Sequence, residues 1–363
     1  MSTPSRTAGH VLDPFVRAGT LAGAVTLVAD RDKVLSIDSV GFADRAARRP
    51  MRPDTLFWIA SQSKPITAGA FMMLVDEGKV QLDEPVERRL PEFRNLWLAV
   101  ERDEEHVLLR RPSHPVTMRE ILSHTSGMPF ASPLEQPTLD VLPLRESAAG
   151  YAMTPLDFEP GSRYQYSNAG INTIGRIIEV LSGTAFEDFL DKRLLRPLGM
   201  KDTTFWPGSR QLAGLATSYK PTPDRRGMEE TPITQLRYPL NDRTRHPVPA
   251  GGLFSTAGDL ARFCRMVLRG GELDGMRYLT ESTVREMTRR QTPESMAESY
   301  GLGWSVTGET FGHGGAYSTS MTIDPRSGLI SIYLVQHSGF PEGGEKGLSA
   351  FMTAVQESFE GAR

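Results

Sequence analysis

Only one cysteine, Cys264, occurs among the 363 residues, so no disulfide can form within a single chain. Its setting, LARFCRMVL, has helix-like apolar spacing and suits a small buried hydrophobe. The chain also lacks any apolar run approaching the roughly eighteen residues of a membrane span. Its first twenty residues, MSTPSRTAGHVLDPFVRAGT, lack the unbroken apolar stretch of a secretory leader. As written, the sequence is therefore expected to be cytoplasmic unless a leader has been removed, and no membrane contact is expected. An excess of positive charge is missing too. Lys and Arg total 41 against 44 Asp and Glu, for a net charge of -3, and they are scattered, which argues against nucleic acid or an anionic membrane as partner. The seven histidines form no HExxH and no close His and carboxylate cluster, so neither a metal nor another cofactor is expected. Nothing in the sequence fixes an oligomeric state.

What is present is an ordinary globular composition, 39% hydrophobic and 23% charged, on a chain longer than the usual single domain. One composite domain and two intimately packed ones both fit that length. Ala22 to Ala29 and Lys33 to Ala43 are β-rich runs separated by Asp30, Arg31 and Asp32, an early hairpin. Helical signals fill the middle. Thr117 with Glu120 forms a capping box before a short helix stopping near Gly127. Asn168 to Leu181 has helical spacing ending at Gly183, and Ala185 to Leu195 ends before Pro197. Thr256 with Asp259 starts a helix through Leu268, and Glu281 to Arg290 is another. Strand signals return at Leu302 to Thr307, Thr310 to Gly315, Thr319 to Asp324 and Leu329 to Gln336, before a last helix from about Glu345 to Phe359. The expected fold is α+β: an antiparallel sheet of N- and C-terminal strands, flanked by helices, with an inserted mostly helical region. Residues 1–60 and about 250–363 would form the sheet region and 61–249 the helical one. Pro129 to Gly150 and Trp206 to Gly252 carry no assignable pattern and are candidates for pocket walls or mobile surface.

The chemistry-bearing segment is TLFWIASQSKPITAGAFMMLVDEGKV, in which Ser61 precedes Lys64 by nearly one helical turn. Pro65 lacks an amide hydrogen and is tolerated only in a first turn, so the helix must begin close to Ser61. Free amides at a helix tip can stabilise an oxyanion. The apolar residues behind it (Ala68, Phe71, Met72, Val75) would bury Lys64 and lower its pKa. The plainer alternative is that Ser61 caps the helix while Lys64 is solvated. Tyr166, Ser167 and Asn168 precede another helix, where Asn168 could simply be its cap. Gly312, His313, Gly314, Gly315 and Ala316 lie between strand-like runs, where glycines allow close approach to backbone amides.

Taken in order, SxxK, YxN, then a basic residue followed by glycines on a late strand, the chain resembles the serine β-lactamase-like superfamily of class C β-lactamases, D,D-peptidases and family VIII carboxylesterases. ILSHTSGMP at 121–129, FEPGSRYQYSNAGI at 158–171, RPLGMKDT at 196–203 and AGGLFSTAGDLARF at 250–263 extend the resemblance over nearly the whole length. It implies a β-lactamase/transpeptidase-like fold. It also implies Ser61 as nucleophile, Lys64 as its partner, Tyr166 as general base or acid, and Asn168 as ligand of Lys64 and of the substrate. His313, Gly314, Gly315 and Ala316 would form the third substrate-binding element, with the Ser61 and Ala316 amides as oxyanion hole.

The third element departs from the Lys-Thr-Gly that penicillin-recognising members usually carry. Without that cation and those hydroxyls, carboxylate recognition is weakened, which points to small neutral esters, as the similar family VIII esterases suggest. A Tyr166 phenol needs positive charge nearby to act as a base. The expectation is therefore that Lys64 takes the serine proton, that activity rises toward mildly alkaline pH, and that a neutral His313 hydrogen-bonds Tyr166. β-Lactamase, D,D-peptidase or D-aminopeptidase, and acyl transferase remain alternatives, as does an inactive binding protein of the same fold. An α/β-hydrolase is disfavoured, because no G-x-S-x-G occurs and the glycines at 312–315 follow every candidate nucleophile.

Overall fold

The computed structural model describes residues 7–360. Residues 1–6 and 361–363, the outer ends of the two segments expected to build the sheet, lie outside it. The first long run to fold is β1 (Gly23–Asp30), whose GAVTLVAD sequence is almost continuously apolar and buried on both faces. A turn at Arg31 to Lys33 returns it as β2 (Val34–Asp44), followed by the short β3 (Arg49–Pro50). The C-terminal part adds β4 (Ser305–Thr307), β5 (Thr310–Gly314), β6 (Ser320–Asp324) and β7 (Leu329–Leu334). These strands form one antiparallel sheet in the order β4-β5-β6-β7-β1-β2-β3. Its centre is the pairing of β1 with β7, where Val25 faces Leu334 and Asp30 faces Leu329, so the two ends of the chain meet in the middle. That is the α+β arrangement the strand pattern implies.

Alternation along β1 divides the apolar residues between two cores. Val25, Leu27 and Ala29 join the larger one, with Met321, Ile323, Ile330 and Ile332 from the C-terminal strands. Ala24 and Val28 face the other side, under Phe351 and Val355 of the last long helix.

The helical middle begins with α1 (Ser63–Asp76), buried almost all round from Ser63 to Leu74, as befits a helix apolar on every face. It is followed by α2 (Met118–Leu122), α3 (Leu144–Met153) and α4 (Asn168–Ser182). The α2 capping box forms as expected, but the helix stops at Leu122 rather than near Gly127. Gly183, at φ 70°, ends α4 in the left-handed conformation that glycine adopts without strain. Helix α3 falls partly within the stretch left unassigned from sequence; its N-cap is Pro143, which offers no side-chain capping signal. The 206–252 stretch is mostly irregular and carries the small Tyr219–Pro221 and Met228–Glu230 hairpin.

Two later helices clasp the sheet. Helix α5 (Ala257–Leu268), capped by Thr256 accepting from the Asp259 amide, packs on β1 and β7, and α6 (Gly347–Val355) covers the opposite face. Cys264 is buried there, with Sγ 3.8 Å from Met321 Sδ, and burial pushes its thiol pKa up. Among the described residues no helix is long and apolar enough to cross a membrane.

The join between α1 and the sheet is a run of rings. Phe263 of α5 stacks parallel to Trp304 at 5.9 Å, and Trp304 meets Phe311 of β5 edge-on at 5.3 Å. Gly69 of α1 faces the Phe263 ring, at a distance where a Cβ would make ordinary contact at 3.4 Å. All three rings are nearly inaccessible, so Phe263→Ala should destabilise the protein by about 3–5 kcal/mol. Urea denaturation followed by circular dichroism reads this as a lower midpoint with little change in slope.

Candidate active site

Ser61 stands in a single 3₁₀ turn (Ala60–Gln62) that runs directly into α1, so it occupies the first helical turn that Pro65 requires. The residue before it, Ala60, sits at φ 46°, a left-handed conformation costly for a residue with a side chain. Contacts from the 249–253 segment hold this tight entry. Ser63 Oγ donates to the Ala60 carbonyl at 2.7 Å and accepts from the Leu253 amide at 3.2 Å, while the Trp58 indole donates to Gly251 O at 2.7 Å.

Lys64 is completely buried. Its Nζ lies 2.8 Å from Asn168 Oδ1, 2.7 Å from Ala250 O and 3.1 Å from Ser61 Oγ. Every one of these partners is neutral, and burial alone drives the lysine pKa well below its ordinary value. In the neutral amine, the two hydrogens can serve the Asn168 and Ala250 carbonyls, which can only accept. The lone pair is then left facing the Ser61 hydroxyl. Asn168 reaches this point as the first residue of α4, whose cap is the neighbouring Ser167.

The Tyr166 phenol faces Ser61, which acts to lower its pKa, and its ring lies 4.5 Å from Lys64 Nζ. Burial raises its pKa, more than the Ser61 contact lowers it, so the phenol keeps its proton at neutral pH. The ring is held by His124 at 4.6 Å and by Phe130 stacked at 6.4 Å. His124 accepts the Ser167 amide at Nδ1, 3.2 Å away, so the proton of its neutral ring is on Nε2. Burial, and secondarily Lys64 and His313, hold its pKa well down.

His313 is placed otherwise than expected. Its Nδ1 lies 2.6 Å from the Gly314 carbonyl, which can only accept, so Nδ1 carries the proton. Nε2 then accepts from the Tyr300 hydroxyl at 2.9 Å. A neutral imidazole has one donor and one acceptor, and both are used, so no bond to Tyr166 remains; the two rings lie 6.0 Å apart. Burial and then Lys64 bring the His313 pKa down to about 3, which keeps the ring neutral. The His313 carbonyl accepts from Gln62 at 3.4 Å, linking β5 to the turn that holds Ser61.

Gly314 ends β5 and Gly315 donates to Thr319 O at 2.8 Å. A Cβ on Gly315 would come 2.5 Å from Ile59 O and 2.2 Å from Thr319 Oγ1, so only glycine lets this strand end approach the segment leading into Ser61. The amide of the next residue, Ala316, donates to no protein atom among the described residues.

The family model described as Beta-lactamase matches residues 10–350, across all of these elements. The chain belongs to the β-lactamase family. It is therefore a serine hydrolase by family, a group in which esterases and peptidases both occur. Protein Rv1367c of Mycobacterium tuberculosis is 35% identical, over 88% of this chain and 87% of its own. Esterase EstB of Burkholderia gladioli is 32% identical, over 91% and 89%. Among solved structures, "EstCE1, a hydrolase with promiscuous acyltransferase activity" superposes with a TM-score of 0.80 at 24% identity, covering 96% of this chain and 97% of the other. The fold is β-lactamase/transpeptidase-like.

In this β-lactamase-family site, Ser61, Lys64, Tyr166 and Asn168 converge as their order along the chain suggested. Ala250, His124 and Tyr300 were not singled out from sequence. Ala250 acts through a backbone carbonyl and leaves no side-chain signature; His124 lies inside the quoted ILSHTSGMP phrase, where its position carried a signal that spacing alone could not interpret.

A buried lysine leaves a thermodynamic trace. Where the unfolded chain binds the proton and the native state does not, between the depressed native pKa and the ordinary lysine value, stability rises with pH; below the native pKa both states are protonated and the dependence levels off. Relative to Lys64→Met, the wild-type protein should gain about 1.4 kcal/mol per pH unit over the mildly alkaline range below the ordinary lysine value. Chemical denaturation of both proteins at several pH values measures it; parallel curves would mean that Lys64 is charged in the native state.

Proposed function

We propose that the protein is a carboxylesterase for small, short-chain esters, acting through an acyl-enzyme on Ser61. The observation carrying this reading is the Lys64 amine, buried among neutral acceptors with its lone pair left for Ser61 Oγ. Lys64 takes the serine proton as Oγ attacks the ester carbonyl. The amides of Ser61 and Ala316 receive the developing oxyanion. Tyr166, a protonated phenol in contact with Ser61, passes a proton to the departing alcohol, and the proton held on Lys64 replaces it. Water then repeats the sequence in reverse roles to release the acid.

Neutral esters fit because the third element presents an uncharged imidazole, with both nitrogens already bonded, where a carboxylate-binding cation would be needed for penicillins or peptide termini. The 32% identity to a protein named an esterase supports the same choice. A panel of p-nitrophenyl esters, nitrocefin and a D-Ala-D-Ala peptide tests it. Short esters should lead, and Ser61→Ala should fall by about a thousand-fold or more. Peptide cleavage as the leading activity would overturn the substrate assignment. A fluorophosphonate that adds no mass at Ser61 would favour an inactive binding protein instead.

The pH dependence follows from Lys64. Its active form is the free amine, so kcat/KM should climb as pH rises through the depressed lysine pKa and level off well below pH ~10.4. His124 and His313, held neutral by burial, add no limb of their own near neutrality. A profile flat from acid to alkaline pH would remove Lys64 from the role of base.

A further inference from the structure

We propose that Asn172, Tyr151 and Glu135 are positioning residues for Lys64, acting through the backbone of Ala250 to keep the amine aligned with Ser61. The inference rests on the catalytic reading of Lys64 given above. Asn172 lies one turn beyond Asn168 on α4, so both amides share a helix face. Asn168 holds the amine directly. Asn172 holds it indirectly: its Oδ1 accepts the Ala250 N–H at 3.0 Å, and the Ala250 carbonyl accepts from Lys64 Nζ at 2.7 Å.

The Asn172 side chain is itself fixed from behind. Its Nδ2 donates to the Tyr151 hydroxyl at 3.0 Å, and that hydroxyl donates to Glu135 Oε1. Glu135 Oε2 accepts the Ser132 amide at 2.8 Å. From the Ala250 N–H onward each donor points toward Glu135, and the Asn172 amide and Tyr151 hydroxyl each accept one bond and donate the next, so these bonds reinforce one another. The path ties together α4, α3, the 129–135 wall and the 249–253 segment.

Its composition argues for more than packing. Glu135, Tyr151 and Asn172 are 3%, 2% and 3% exposed, and the carboxyl has hydrogen-bond donors around it but no cation. Burying a carboxyl without a cation is costly, and an apolar core of the same shape would cost less. The polar path leads to one of the two carbonyls that decide where the Lys64 hydrogens point. With Ala250 released, the amine is free to turn its lone pair away from Ser61 and has one fewer firm acceptor for its charged form.

The test uses the full-length protein with a short p-nitrophenyl ester. Asn172→Leu should lower kcat by about ten- to a hundred-fold with KM nearly unchanged, since misplacing a reacting group by about 1 Å costs that much. The acid limb of kcat/KM should move to lower pH, because the ammonium has lost a fixed carbonyl. The titratable side chains facing Lys64 are Tyr166, His124 and His313, with the Ser61 hydroxyl, and none of them is altered. Tyr151→Phe, which removes only a hydroxyl, should show a smaller change in the same direction and decides the matter if Asn172→Leu fails to fold. Unchanged kcat and an unmoved limb in folded variants, or a change confined to KM, would overturn the proposal. Lys64→Ala in the same series separates the two levels. If it hydrolyses esters at the wild-type rate, the catalytic reading falls; if it is inactive while Tyr151→Phe matches wild type, only the positioning role falls.

Discussion

A lysine amine with no carboxylate beside it, sunk at the start of a helix apolar on every side, is the constraint around which this molecule is arranged. Charge on such a group is expensive in the interior, and the protein meets that cost with neutral oxygens, Asn168 Oδ1 and Ala250 O, and with the hydroxyl of Ser61. The acceptors come from separate parts of the chain. One begins α4, one lies in the irregular segment before α5, and the last is in the amine's own helix tip. Burial of α1 on all sides therefore does two things at once, forming the core and removing the water that would keep Lys64 an ordinary ammonium.

Around that amine the electrostatics are uniformly neutral. His124 and His313 are both held uncharged by burial, and Tyr166 keeps its proton for the same reason. His313 is turned inward, its nitrogens bonded to Tyr300 and to its own neighbour's carbonyl, so the third element offers an incoming molecule backbone and glycine more than charge. Gly315 then permits the close approach of that strand end to the chain leading into Ser61. An environment of this kind supports the proposed proton movement among Ser61, Lys64 and Tyr166 and the proposed neutral substrate.

Much of this was legible before any coordinates. The hairpin of β1 and β2, the return of strands after residue 300, and the starts of α2, α4 and α5 are written in local patterns: β-rich runs, helix-capping residues and helical apolar spacing. Helix α3 was not legible, because Pro143 stands where a capping side chain would advertise a helix start, and neither was the early end of α2 at Leu122. At the site, Ser61 and Lys64 were readable because they share one turn, and Tyr166 and Asn168 because they recur in a recognisable order. Ala250 was invisible, since a carbonyl belongs to every residue. The His313 bond to Tyr166 was a wrong expectation, because sequence proximity hid how readily the Gly314 carbonyl and the Tyr300 hydroxyl would satisfy that ring.

By itself, the amino-acid order determined the class of fold and the helix tip on which Ser61 and Lys64 sit, which rest on local patterns and short spacings, and it carried the family through the resemblance of motifs in order along nearly the whole chain. Tertiary structure alone decided what surrounds the amine. Hydrogen-bond partners separated by 104 and 186 residues, and the exclusion of water that depresses a lysine pKa, arise only when distant segments close on one another.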